Sequence, residues 1–306
     1  MDESGRAMKK YGGMLLLFVL FLAISVATVY GLARQTKARA EAKNAESVKQ
    51  IGKRIHEVIG VLKALAQNET VQSKTLGFGE KARFLTAMNR EMGYLMICIL
   101  DDKINVYSPG VEKPVSSLAS RDYLRRLYAS GKTEVTDAFL AGADGRTLVY
   151  TIAVPVRMEG RMAGALFAAI RESEINAFLQ EGQADGDSVL IGSGGQYMSG
   201  VPDAKFGMPL YIMLEKNWRI SRPVEEILMD IQAGNAGTFW GVNHFRINYF
   251  VYTPVKETRW VVITRGSLAQ WTSCLILYGI FLIFLVCAGI FLYFRGTGKK
   301  RNENPN

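Results

Sequence analysis

Hydrophobic and polar positions divide this 306-residue chain into a frame and a filling. Two long runs free of charge stand near the ends, Tyr11–Ala33 and Leu275–Phe294. Each offers about 20 apolar residues, enough for a helix to cross a hydrocarbon layer about 30 Å thick. Past the first run, Gln35–Lys53 is polar and rich in Ala and Lys. It merges into a stripe of Ile51, Ile55, Val58, Ile59, Leu62, Leu65 and Ala66, recurring at the three-and-four spacing of a helix. The pattern predicts one long helix, polar at its base and apolar on one side above. The stripe either covers a sheet or forms a dimer seam. It is too short for a sustained seam, so packing on its own domain is expected, with a dimer contact open below it.

From Gly93 the period shortens to that of strands and turns. Tyr94–Leu100, a turn at Asp101-Asp102-Lys103 and Ile104–Tyr107 read as a hairpin closed by Ser108-Pro109-Gly110. Ser120–Gly131 reads as a short helix, with Ser120 as N-cap and Gly131 as stop. Glu134–Thr136 is a short strand, and Asp144-Gly145 is a turn. Leu148–Val156, the turn Glu159-Gly160 and Ala163–Ile170 form a second hairpin, followed by a helix over Glu172–Leu179. Pro155 implies an edge or a bulge in its strand.

The same grammar then recurs. Val189–Ile191, the turn Gly192–Gly195, Gln196–Met198 and Ser199-Gly200-Val201-Pro202 echo the first hairpin and its Ser-Pro-Gly ending. Tyr249–Val255, the turn Lys256–Thr258 and Trp260–Thr264 echo the second. Both copies carry an aromatic-rich strand ending in Pro-Val: Tyr150 with Pro155-Val156, and Tyr252 with Pro254-Val255. Tandem antiparallel sheets with helices make an α+β fold. The reading divides the chain into a tail (1–11), a first span (12–33), stalk and packing helices (34–92), two modules (93–182 and 183–266), a second span (272–294) and a basic tail (295–306).

Charge orients the frame. Arg6, Lys9 and Lys10 precede the first span, and Arg295, Lys299, Lys300 and Arg301 follow the second. Basic flanks stay cytoplasmic, so the middle is expected outside, although Arg34, Lys37 and Arg39 run against the rule. A cleaved leader has an apolar core of about 7–15 residues, and this run exceeds it, which favours an uncleaved anchor. The net charge of +9 is scattered, without a basic block interleaved with aromatics, so nucleic acid is not an expected partner. The three cysteines give no disulfide framework; Cys98, Cys274 and Cys287 fall in apolar runs and read as small buried hydrophobes.

Catalytic chemistry finds no constellation. His56 and His244 lack partners at metal-ligand spacing. Gly192-Ser193-Gly194-Gly195 lacks the Lys-Ser/Thr of a phosphate loop, and Ser193 has no ordered His and acid. No metal, cofactor or enzymatic activity is expected. Asn68-Glu69-Thr70 matches a glycosylation triplet, a pattern common by chance.

A span, a long helix and two tandem modules ending at a second span resemble the double Cache sensor domain of bacterial receptors. Ser120-Arg121-Asp122-Tyr123-Leu124 with Gly131-Lys132 resembles that family's "RDYF…GK" helix, and Val149–Val156 with Gly160–Ile170 its "IAVPV…G…G" hairpin. The resemblance implies PAS-like modules with a small ligand in the membrane-distal copy, in a two-pass protein of the bacterial inner membrane. It places Arg121 and Tyr123 at the pocket mouth. An Arg fork suits a carboxylate or phosphate, and a Tyr gives an apolar wall with a polar tip. Arg126 and Tyr128 share the helix, while Asp137, Tyr150 and Thr151 lie opposite, with the pocket-lining face of the Tyr150 strand left open. Solvated helix surface is the competing reading for the arginines, and ordinary core or sheet positions for the rest. Amino-acid-binding members carry an aspartate where this chain has Ala169, and an aromatic pair where it has Tyr123-Leu124. A small anionic organic acid is therefore the expected ligand.

The resemblance implies signalling through the spans of a homodimer or of a partner membrane protein. Only Arg295–Asn306 follows the second span, which leaves no room for an output domain in this sequence. Two other functions compete: a docking subunit without a ligand, and the input fragment of a histidine kinase or diguanylate cyclase.

Overall fold

A computed structural model describes residues 3–142, 145–181, 187–200, 205–217, 219–243, 246–268, 278–283 and 285–286, with side chains from Val19 onward. Asp144, Val201-Pro202, His244, Cys274, Cys287, the 295–306 tail and most of the second apolar run lie outside these residues.

The frame begins with one continuous helix, α1 (Glu3–Ala66), of 64 residues. At a rise of about 1.5 Å per residue it is roughly 96 Å long. Its apolar part is bare: Val19, Leu20, Leu22, Ile24 and Val26 are all about half exposed or more. The ring of Phe21 lies 5.5 Å from that of Tyr278, so the described piece of the second apolar run sits beside the first. Above that level α1 buries two different faces in turn.

Its upper part carries the predicted stripe. Ile51, Ile55, Val58 and Leu62 are fully buried. They share a core with Ile97, Ile99, Tyr150, Ile152, Val154, Leu166, Ala168 and Ile170 of the first sheet. Burying each branched aliphatic side chain contributes about 1.5–3 kcal/mol. The lower part does the same with small and polar residues. Thr36, Ala40, Asn44 and Ser47 are buried, at most 8% exposed, against the second sheet. A Cβ on Gly266 would stand 3.0 Å from both Ala40 Cβ and Thr36 Cγ2, so this glycine permits the close approach. The side of the helix base that the sequence left bare therefore has a partner in its own chain.

Two short helices, α2 (Glu69–Gln72) and α3 (Phe78–Met92), lead to the first sheet. Asn68 caps α2 by accepting from the Thr70 N–H at 2.9 Å, which gives the Asn-Glu-Thr triplet a structural role. The sheet comprises β1 (Met96–Leu100), β2 (Asn105–Val106), β3 (Ser116–Ser117), β4 (Glu134–Val135), β5 (Phe139–Leu140), β6 (Leu148–Met158) and β7 (Arg161–Arg171). Its order is β3-β2-β1-β7-β6-β4, with β5 also on β6. Helix α4 (Asp122–Ser130) lies between β3 and β4 in sequence, and α5 (Glu172–Gln180) leaves the sheet. Gly131 ends α4 in a left-handed conformation as expected, but Arg121, not Ser120, is the N-cap. Pro155 lies just past Ile152 and Ala153, the residues that pair with β4. The missing N–H of Pro155 thus falls beyond the β4 pairing, and the register shifts soon after, between Val156 and Arg157.

The second sheet comprises β8 (Asp187–Ile191), β9 (Tyr197–Ser199), β10 (Arg219–Ile220), β11 (Gly237–Asn243), β12 (Arg246–Pro254) and β13 (Val261–Ser267). Helices α6 (Leu210–Asn217) and α7 (Val224–Gln232) precede its last hairpin. Its order, β10-β11-β12-β13-β8-β9, repeats the arrangement of the first: a long hairpin at the centre and the entry hairpin beside its second strand. Strand alternation gives each sheet an α1 face and an outer face.

Candidate functional site

On the outer face of the first sheet the pairing sets the rows. Met96, Ala169 and Thr151 lie side by side, as do Cys98, Phe167 and Ala153. Leu124 and Leu127 of α4 cover this face together with Leu100, Ala153, Ala165 and Phe167. Tyr123 is half-buried there, and burial pushes its hydroxyl up to about 12, with Arg121 opposing and Cys98 adding to the shift. Burial likewise lifts the Cys98 thiol to about 12, so it is a neutral wall group.

Arg121 stands at the start of α4 with its guanidinium 5.9 Å from the ring centre of Phe139 on β5. Among the described residues it has no ion pair. Its neighbours on the helix are occupied. Arg125 pairs with Asp122, and Arg126 holds Glu134 through Nε at 3.1 Å and Nη2 at 2.9 Å. Tyr128 donates its hydroxyl to the Asp101 carbonyl, and burial raises its pKa.

The other candidates separate by strand parity. Thr151 faces α4 and is fully buried, with its N–H donating to Thr136 Oγ1 at 2.9 Å. Tyr150 points the opposite way, into the α1 core, where its ring meets Trp260 edge-on at 5.4 Å. Burial raises the pKa of its hydroxyl, and Glu174 adds to the effect. The α4 face thus gathers Arg121, Tyr123 and Thr151, and Tyr150 is not with them.

Asp137 reaches into the second unit. Its Oδ1 accepts from the Ser193 N–H at 3.0 Å and Trp260 Nε1 at 3.1 Å. Its Oδ2 accepts from Ser193 Oγ at 2.6 Å and Gln196 Nε2 at 3.0 Å. Those donors occupy the β8–β9 turn and the residue just before β13. Ala138 N–H adds a contact to Met198 Sδ at 3.3 Å. Within four residues the chain therefore makes three attachments: Thr136 to β6, Asp137 to the second sheet, and Phe139 under Arg121. Thr136 and Phe139 were not singled out from sequence. Their roles depend on pairing to β6, and nothing in their own neighbourhood reports it.

Four described carboxylates near this face are engaged. Asp101 is raised by burial, but hydrogen bonds from the Asn105 N–H and side chain, Tyr107 and the Lys103 N–H outweigh this and leave its pKa below the usual range. Asp122 and Glu134 hold arginines, and Asp137 holds the second unit. Arg121 is a cation of this face without an ion pair among the described residues. His56 lies far from it, with Nδ1 3.1 Å from Glu257 Oε2 at the surface. Among the described residues no cluster of His, Cys, Asp or Glu could hold a metal ion.

Solved structures repeat this architecture. The ligand-binding domain of the Pseudomonas aeruginosa amino-acid chemoreceptor PctC, in complex with GABA, superposes with a TM-score of 0.57 at 16% identity, covering 73% of this chain and 96% of that one. The ligand-binding domain of Pseudomonas fluorescens chemoreceptor CtaA with L-isoleucine gives 0.59 at 13% identity, over 78% and 96%. The extracellular domain of mmHK1S-Z3, assigned as a histidine kinase, gives 0.60 at 13% identity, over 80% and 97%. The fold is that of a Cache-type sensor domain. No protein-family model matches the sequence, and no curated protein does. At these identities the likeness carries the Cache architecture, and ligand chemistry has to come from the residues of this chain.

Proposed function

We propose that this chain is a membrane-anchored, extracytoplasmic sensor that binds a small organic acid on the outer face of its first sheet. The observation that carries this reading is Arg121: a cation with no ion pair among the described residues, set over an aromatic ring, on a face where Asp101, Asp122, Glu134 and Asp137 are already engaged. A free fork of donors there favours a carboxylate ligand. Ala169, buried between Met96 and Thr151, offers nothing to hold an ammonium group. The solved relatives in complex with GABA and L-isoleucine support small organic molecules as the ligand class.

The bare apolar part of α1, with a mean hydropathy of 1.4, serves as the anchor, and the run beside it as a second span. Gly279 has open space where a Cβ would stand, which suits close packing against a second copy or a partner's helices. A ligand pulling on Arg121 and Phe139 would act two residues from Asp137, and through it on the second sheet and α1. A ligand shifts such an element only by its differential affinity for two arrangements. The test is a thermal-shift screen of the full chain in nanodiscs with small organic acids, amines and amino acids. We expect small organic acids without an apolar tail to raise the melting temperature, and Arg121→Ala to abolish that shift. A docking subunit would show no shift with any class, and that result would overturn the reading.

A further inference from the structure

The second sheet has an outer face of its own, and it is not filled. Helix α6 leans over Phe239, Phe250 and Ile263 and leaves a cavity of about 250 Å³. Ligand pockets commonly hold about 300–1,000 Å³, so this one suits a small molecule. The stacked pair Phe239–Phe250, with ring centres 4.7 Å apart, forms the floor. Leu210, Met213 and Leu214 of α6 form the roof, and Met213 lends an adaptable edge.

One end of the cavity is polar. Asp187 and Arg265 form an ion pair there, Asp187 exposed and Arg265 half-buried. Lys205 lines the same cavity and has no ion pair among the described residues. Tyr197 lines the cavity, and its hydroxyl makes no hydrogen bond among the described residues. Burial pushes that hydroxyl up to about 12, against a lowering by Arg265, which keeps it a donor at neutral pH. Among the described residues, the two cations and Asp187 leave one net positive charge at this end.

We propose that the second sheet binds a small carboxylic acid with an apolar tail, branched or aromatic. The tail would lie between the phenylalanine pair and α6, and the carboxylate would meet Tyr197, Lys205 and Arg265. The site is independent of Arg121 and of the reading given for the first sheet. It also touches the inter-unit tie. Gly195 O accepts from the Leu210 N–H at 2.8 Å, and the Tyr197 N–H donates to Met208 O at 3.0 Å. The turn gripped by Asp137 therefore holds the first residue of α6.

The experiment uses the full chain in nanodiscs with phenylacetate and 4-methylpentanoate, and their neutral amides as controls. The acids should bind at least tenfold more tightly than the amides. Val189→Phe or Met213→Trp, which fill the cavity, should abolish binding, and Tyr197→Phe should weaken it about tenfold. Arg121→Ala should leave it unchanged. A diazirine analogue of phenylacetate, photolysed on the unmutated chain, should label peptides of α6, which keeps the test valid if a filling variant fails to fold. The proposal is overturned by acids that bind no better than amides, by labelling of α4 instead, or by loss of binding in Arg121→Ala. Loss of binding in Arg121→Ala would assign the acid to the first sheet, so failure of this site and failure of the other are told apart.

Discussion

The two sheets share a strand order but meet their neighbours differently on both faces. Against α1, the first sheet presents Ile, Val, Leu and Tyr side chains to an apolar stripe. The second presents Thr264 and Gly266 to Thr36, Ala40 and Asn44, and the amide of Asn44 donates to Val262 O at 3.0 Å and Thr264 Oγ1 at 3.1 Å. On the outer faces, the leucines of α4 pack on the first sheet and leave Arg121 at its edge, while α6 leaves about 250 Å³ open over the second. One topology therefore accommodates an oily contact and a small, hydrogen-bonded one on the same helix. Residue size at the contact decides how closely the helix approaches, and polar satisfaction decides whether that approach is stable.

Substitutions can break this contrast. The largest effect is expected at the oily contact: Leu62→Ala should destabilise the chain by about 2–5 kcal/mol, as truncation of a fully buried leucine does. Chemical denaturation of the nanodisc-held chain measures it, and a change below about 1 kcal/mol would show that the stripe does not carry the first unit. Asp137→Ala comes next, at about 2–3 kcal/mol, since it strands four donors of which two belong to the β8–β9 backbone and side chain at Ser193. Calorimetry should resolve two transitions in place of one, because this carboxylate ties the units. A single unshifted transition would assign the coupling to α1 alone.

Asn44→Ala tests the small contact. It removes the amide that donates to the Val262 carbonyl and Thr264, and should cost about 1–2 kcal/mol, felt by the second unit more than the first. Equal loss in both units by hydrogen exchange would count against separate contacts. The smallest effect concerns acid. Asp101 has a lowered pKa in the folded chain, so its contribution is complete above the unfolded value of about 3.9 and is lost as pH falls through the lower folded value. It belongs to the first unit only. Acid titration by hydrogen exchange should loosen the β1–β2 hairpin before the second sheet, and Asp101→Asn should flatten that dependence.

Much of the fold was legible because its signals are local. Gly131 stops α4, the Glu172 helix starts on its residue, and both long hairpins turn at their Glu-Gly and Lys-Glu-Thr dipeptides or triplets. Which tyrosines of the two copies share a face depends on parity. Tyr150 lies six residues before Val156, and Tyr249, not Tyr252, lies six before Val255; these four residues all face the α1 side of their sheets. Tyr252, one step out of phase, faces α7 and donates to Asp230 at 2.7 Å. An aromatic count within a strand cannot register such a slip, because shifting by one residue reverses the face.

Sequence by itself determined the elements, their repetition, the apolar frame and the stripe on α1, since periodicity and turn chemistry act over a few residues. Its resemblance to the Cache family also singled out Arg121 and Tyr123. Tertiary structure alone decided that Arg121 is left without an ion pair among the described residues while Arg126 is not, that Asp137 joins two sheets, and that space remains under α6. Each of these depends on which distant side chain fills a place or claims a charge. Pairing and packing across 50 or more residues, such as Asp137 with Ser193 or Trp260, settle that only when the sheets have closed on α1.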